Sequence, residues 1–143
     1  MGNTDGIKQH IAYKSDLNQK DAYGSTPLHI AATFGKTEVA KLLIDAGADL
    51  NATSGDGSSP LHTAAFFGRI EIVKALLAKK PDVTLRNNYG STALESVAAS
   101  FTDVKPIYDQ LSKDLGPFGL KLDYKQLEEA RPIIAEMIKQ QTK

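Results

Sequence analysis

The sequence predicts an all-α solenoid of stacked helix–turn–helix units with a helical C-terminal cap. Three observations carry that prediction. The stretch Gly24-Ser25-Thr26-Pro27-Leu28-His29-Ile30-Ala31-Ala32-Thr33-Phe34-Gly35 returns as Gly57-Ser58-Ser59-Pro60-Leu61-His62-Thr63-Ala64-Ala65-Phe66-Phe67-Gly68 at a constant offset (57 − 24 = 33 and 68 − 35 = 33). A fixed period of some tens of residues marks a protein built by stacking one supersecondary unit. Within each period the apolar residues follow helical spacing, as in Val39, Leu42 and Leu43 and again in Ile70, Val73, Leu76 and Leu77. Finally, prolines and glycines fall where helices would start and stop.

Composition fits a packed chain. Of 143 residues 41% are apolar and 24% charged, enough apolar content to bury a core. Lys+Arg and Asp+Glu are both 17, with no basic cluster, so the footprint of a nucleic-acid binder is missing. The chain has no cysteine, which excludes disulfides and thiolate catalysis. No apolar run approaches the roughly 18 residues of a membrane span. Met1 to Ser15 contains no apolar h-region, so a soluble, cytoplasmic protein is expected.

Taken in order, residues 1–20 read as half a unit. Gly2-Asn3-Thr4-Asp5 maps onto Gly35-Lys36-Thr37-Glu38 and Asp16-Leu17-Asn18 onto Asp49-Leu50-Asn51, with Ile7 and Ile11 as the apolar side of a second helix. No first helix precedes it, so either the natural N-terminus is trimmed, which is the expectation, or this helix is itself a cap. The first complete unit spans 21–53. Asp21-Ala22-Tyr23-Gly24 is a turn, Thr26 an N-cap, and Pro27 sits at the first helical position, where its missing N–H costs nothing. Leu28, Ala31 and Ala32 face inward, Gly35 ends the helix, Thr37 caps the next, and Gly47 ends that one. The unit 54–86 repeats these devices, except that Lys80-Pro81 replaces Gly47-Ala48 and predicts a differently shaped helix end.

The third unit, 87–102, opens in register at Asn87-Asn88-Tyr89-Gly90-Ser91-Thr92 and then degenerates. Ala93 replaces the proline, Glu95 the histidine, and Phe101 the glycine. Residues 103–143 read as a helical capping extension. One helix is expected to start at Asp103, with Pro106 in its first turn. Another is expected to start at Asp123, with Gln126 three residues on, as in a capping box. Pro132 predicts a kink or a fresh start near Arg131.

The pattern Asp21-x-x-Gly24-x-Thr26-Pro27-Leu28-His29-x-Ala31-Ala32-x-x-Gly35, followed by Glu38-Val39 and Gly47-Ala48-Asp49-Leu50-Asn51, resembles the ankyrin repeat. The resemblance covers roughly residues 2–99. Ser59 in place of threonine, the Lys80-Pro81 end and the third unit depart from it. It implies an ankyrin-repeat solenoid whose long loops project as fingers, with a concave groove between the fingers and the first helices. It also implies protein–protein recognition with no chemistry of its own.

Candidate chemistry is sparse. His29 and His62 follow Pro-Leu at the repeat spacing and belong with Thr26, Pro27 and Pro60 to the structural motif. There the imidazole satisfies backbone groups and ties one finger to the next. His10 is off register. No catalytic residue, metal site or cofactor is expected: no histidine has a carboxylate at helical spacing, no Gly-x-Ser-x-Gly occurs, and Gly55-x-Gly57 lacks the lysine of a phosphate-binding loop. Asn18 and Asn51 share a register position and are expected to hydrogen-bond a turn.

The partner-binding positions implied by the resemblance are the fingertips and the two residues after the paired alanines. These are Tyr23, Asp56, Asn88 and Tyr89 with the nearby Ser25 and Ser58, and Thr33, Phe34, Phe66 and Phe67 in the groove. The phenylalanines either line that groove or pack beneath the fingers as core. Aromatic side chains contribute a large share of interface energy, commonly about 2 kcal/mol or more at a hot spot. The expected partner is a protein, with neither nucleic acid nor membrane involved, and the chain is expected to be a monomer. The alternative is a structural or assembly module, a fragment of a larger protein or one self-associating through an open N-terminal edge at Ile7 and Ile11.

Overall fold

A computed structural model describes residues 17–141, so the half unit with Ile7, Ile11 and His10 lies outside the described residues, apart from its last positions. Two short helices form each of the first two units: α1 (Pro27–Phe34) with α2 (Thr37–Asp45), and α3 (Pro60–Phe66) with α4 (Ile70–Ala78). Next come α5 (Ala93–Ala98), α6 (Phe101–Leu115), a 3-10 turn (Gly116–Phe118) and α7 (Tyr124–Gln141). First helices pack on first helices, α1 on α3 on α5, and second helices on second helices, α2 on α4 on α7. The core lies between these two layers.

Helices of six to nine residues are well short of the roughly 12–15 needed for a helix to persist alone in water. Stacking therefore stabilises them, through Leu28, Leu43, Leu61, Ile72 and Leu76, all fully buried and each contributing roughly 1.5–3 kcal/mol. The buried alanines 31, 32, 64 and 65 let the first helices lie close.

Starts and stops follow the sequence closely. Thr26, Ser59 and Thr92 each close a capping box with the residue three further on, and Gly35 ends α1 in the left-handed region at φ 69°. One helix start differs from expectation. Thr37 is the first helical residue, not the cap; the tight turn is held by backbone bonds from Lys36 N–H to Ala31 O (2.9 Å) and Thr37 N–H to Gly35 O (3.0 Å), and by the Arg69 guanidinium donating to Ala32 O (3.1 Å) and Thr33 O (2.6 Å). The end of α4 differs as expected: Ala48 N–H donates to Leu43 O (3.0 Å) at the end of α2, and Pro81 in the same place has no N–H to give. Lys80 takes φ 53°, the left-handed conformation that Gly47 takes at φ 93°, and bears the steric cost of doing so.

The third unit closes differently. Gly35 and Gly68, at φ 69° and 70°, turn the chain directly from first helix to second. Phe101 stands in that position and cannot do this cheaply, and the chain instead enters α6. That helix begins at Phe101, two residues before the predicted Asp103, and holds Pro106 inside it. After the 3-10 turn the chain returns as α7, which packs against α4 and α5 as α4 packs against α2 and α3. Ala130, Arg131, Ile134 and Ala135 of α7 are buried in the same i, i+1, i+4, i+5 pattern as Ile72, Val73, Leu76 and Leu77 of α4. The offset is 130 − 72 = 58, which is 25 more than the period of 33. Pro132 does not divide α7, which runs unbroken from Tyr124 to Gln141. Its ring lies on the exposed side of the helix. The expected cap at Asp123 is present, its carboxylate accepting from Gln126 N–H at 3.1 Å.

A candidate protein-binding surface on the fingers and first helices

The two repeat histidines build the scaffold beneath the surface. His29 is buried. Its Nε2–H donates to the Ser58 carbonyl across the unit boundary at 2.7 Å, which leaves Nδ1 to accept from the Thr26 hydroxyl (2.8 Å) and the Thr26 N–H. His62 does the same with Ser59 and the Ser91 carbonyl, at 2.8 Å each. Burial lowers the His29 pKa below its ordinary value, against the opposing pull of the Ser58 carbonyl and nearby Asp56, so the ring is held neutral. Every nitrogen of these rings is engaged, which leaves neither available as a ligand or a base.

Each finger is a turn held by one side chain. Asp21 Oδ1 accepts from the N–H groups of Tyr23 (2.9 Å) and Ser25 (3.0 Å), and Asn87 Oδ1 does so for Tyr89 (3.0 Å) and Ser91 (3.1 Å). The middle finger has Ser54 at that position, too short for the task. Asp56, two residues on, takes it over by accepting from Ser58 N–H (3.1 Å) and Ser54 Oγ (2.6 Å). Burial alone would raise the Asp56 pKa, but these hydrogen bonds outweigh it and hold the carboxyl below its ordinary value. Backbone bonds join the fingers, from Gly55 N–H to Tyr23 O (3.1 Å) and Asn88 N–H to Asp56 O (2.8 Å). A Cβ on Gly55 would lie 2.5 Å from Tyr23 O, so only glycine fits there.

The ten sequence-predicted binding positions fall into distinct environments. Tyr23 and Tyr89 are 84% and 80% exposed at the tips, with Asp56 and Asn88, also exposed, between them in the bonded row of fingers. Ser25 is half-buried and Ser58 buried, its carbonyl taken by His29. On the first helices Thr33 is half-buried and bonded to His29 O (3.0 Å), and Phe34 is half-buried. Phe67 is buried beside the Arg69 guanidinium, and Phe66 is overlaid by Tyr108 of α6, whose ring stacks on it at 4.5 Å.

Three further residues shape this surface. Ile30 is 41% exposed on the face that Thr33 and Phe34 share; helical i+3 and i+4 spacing from those two would have found it. Tyr108 is buried, and its hydroxyl donates to the Phe66 carbonyl. Arg131 is buried behind it, donating to Tyr108 Oη, Ser96 O and Ala99 O at 2.9 Å each, so a cation caps the last carbonyls of α5. No period reaches Tyr108 or Arg131. Among the described residues no helix is long and apolar enough to cross a membrane, and no three acidic or histidine side chains are grouped as a metal would require.

Stacked helix pairs joined by paired fingers define a repeat solenoid, and comparison with known proteins identifies which. The sequence profile of ankyrin repeats in three copies matches residues 1–87 and, overlapping, 49–105. The chain belongs to the ankyrin-repeat family. Among curated proteins, a 46-residue stretch is 48% identical to potassium channel KOR1 of Oryza sativa subsp. japonica. Over 46 residues the chain is also 44% identical to protein phosphatase 1 regulatory subunit 27 of Homo sapiens and 42% identical to that of Mus musculus. These matches cover 32% of this chain, but only 5% of the channel and 30% of each regulatory subunit.

Proposed function

We propose that this chain is a non-catalytic binding module that recognises a protein partner through its fingertips and the exposed face of its first helices. The observation that carries the reading is the pair of tyrosines, Tyr23 and Tyr89. Both stand more than three-quarters exposed at the same register position of fingers whose backbones are fixed by side-chain and inter-finger hydrogen bonds. A large aromatic side chain on a preordered backbone loses little entropy on binding, which favours affinity. Ile30 and Phe34 supply apolar surface below the tips. Asp56 contributes chiefly by shaping the middle finger, and Phe67 and Ser58 by supporting the surface from within. The matched stretch occurs in a channel and in a phosphatase regulatory subunit, proteins of unlike description, which supports a binding role over a chemical one.

The test is a titration by calorimetry against a partner captured from the source cells. Tyr23→Ala and Tyr89→Ala are each expected to weaken binding at least fivefold, about 1 kcal/mol or more, with thermal stability unchanged. If Tyr23→Ala, Phe34→Ala and Tyr89→Ala all bind as the parent does, recognition lies elsewhere on the molecule.

A further inference from the structure

We propose that the C-terminal edge of the stack, between α5 and α7, is a docking cleft for an amphipathic helix of another protein that carries lysine or arginine beside an apolar stripe. A cavity of about 760 Å³ opens there, lined by Leu94, Ala98, Phe101 and Pro132 and flanked by Glu128, Glu136 and Lys139.

The repeat register says what kind of element this cleft receives. Leu94 and Ala98 are the third-unit counterparts of Leu28 and Leu61 and of Ala32 and Ala65. Those four are at most 2% exposed, because the first helix of the following unit lies over them, α3 over α1 and α5 over α3. In the third unit the same residue types are kept, but Ala98 is exposed and Leu94 only half-buried. The edge thus retains a helix-stacking surface on which none of the described helices lies, and alanine at its centre permits close approach of a helix axis. Outer faces that terminate such stacks are ordinarily polar.

Two features narrow the occupant further. Position 95 carries glutamate where His29 and His62 reach out to the next finger. Glu95 instead turns back to Thr92 N–H and Arg86. No tie for another finger exists, so the fitting element is a helix without one, not a fourth unit of the same kind. Glu128 and Glu136 lie eight residues apart on α7, about 12 Å along the helix. Neither belongs to the salt bridges seen among the described residues, Arg86 with Glu95 and Lys105 with Asp109; Glu136 accepts from Gln140 (2.9 Å), and Lys139, three residues from Glu136, lines the same cleft. Arg131, at the back of the cleft, is committed to Tyr108, Ser96 and Ala99. With Arg131 so committed, the cleft wall sets Glu128, Glu136 and Glu95 against Lys139 alone, and this acidic excess favours basic residues on the incoming helix.

The test uses a fluorescein-labelled 20-residue alanine–leucine helix with its apolar stripe flanked by lysines, and the same helix flanked by glutamates, followed by fluorescence anisotropy. The intact chain is expected to bind the lysine helix, and more weakly as salt rises. Ala98→Arg, which fills the cleft from an exposed position, is expected to weaken binding at least tenfold, as is the double variant Glu128→Lys/Glu136→Lys, with circular dichroism unchanged in both. Tyr23→Ala is expected to bind the lysine helix as the parent does, which separates this cleft from the fingertip surface. The proposal is overturned by failure of the lysine helix to bind, by equal binding of the glutamate helix, or by full binding to folded Ala98→Arg. It is likewise overturned if sedimentation shows a self-associated chain that Ala98→Arg dissociates, since the occupant is then a second copy.

Discussion

The units 21–53 and 54–86 differ from the third in how a unit grips its neighbour. In the first two, a buried histidine reaches the carbonyl of the following finger, and a left-handed glycine turns the chain straight into the second helix. In the third, Glu95 replaces the histidine and Phe101 the glycine, and the second helix arrives 25 residues late, held by Arg131. The difference teaches that stacking is specified by a buried pattern at a place in space. Identical devices satisfy it twice. A different device, an inserted helix and a buried cation, satisfies it the third time.

The comparison breaks most severely at Arg131. Arg131→Ala removes the donors to two carbonyls and the Tyr108 hydroxyl and leaves a cavity, so a loss of about 3–4 kcal/mol is expected in urea unfolding. A smaller loss would mean that α7 is held chiefly by Ile134 and Ile138. Next comes the histidine tie: His62→Ala is expected to cost about 2–3 kcal/mol through its bond to Ser91 O. Glu95→Ala, at the equivalent position, should change the midpoint far less, because Glu95 is exposed and its bonds to Thr92 N–H and Arg86 lie at the surface. Equal losses at 62 and 95 would remove the distinction between the units.

Acid sharpens the same contrast. The folded state holds His29 below its ordinary pKa, so the unfolded chain takes up the proton first as pH falls. Stability present above about pH 6.5 is then lost progressively as pH drops toward the folded value. His29→Gln is expected to flatten that slope between pH 8 and 5, and an unchanged slope would locate the acid sensitivity elsewhere. The smallest effect is at Lys80. Lys80→Gly relieves a left-handed lysine costing about 1–2 kcal/mol but frees the unfolded backbone, for a net gain of about 0.5–1 kcal/mol in stability. A loss would show that the lysine stem packs usefully at this turn.

Much of the proposed binding surface was legible in order but not in environment. The register placed Tyr23 and Tyr89 at equivalent tips, and both stand exposed. It placed Phe34 and Phe67 at one position as well, yet Phe67 is buried and Phe34 only half-buried. Their surroundings differ: the Arg69 guanidinium lies 5.9 Å from the Phe67 ring centroid, and Phe66 stands edge-on to it under Tyr108. Asp56 is a fingertip position by register, but its side chain compensates for a short Ser54, a relation visible only once both are seen bonded.

The sequence by itself determined the period and the N-caps and, through the motif it resembles, the role of the two histidines, because each rests on residues at most one unit apart and on local hydrogen-bond geometry. Only the tertiary structure decided that α7 takes the second-helix place in the third unit, that Tyr108 covers Phe66, and that Arg131 caps α5. Those contacts join residues separated by an insertion of no fixed length. Burial selects them for their place in the stack, and spacing along the chain carries no trace of that.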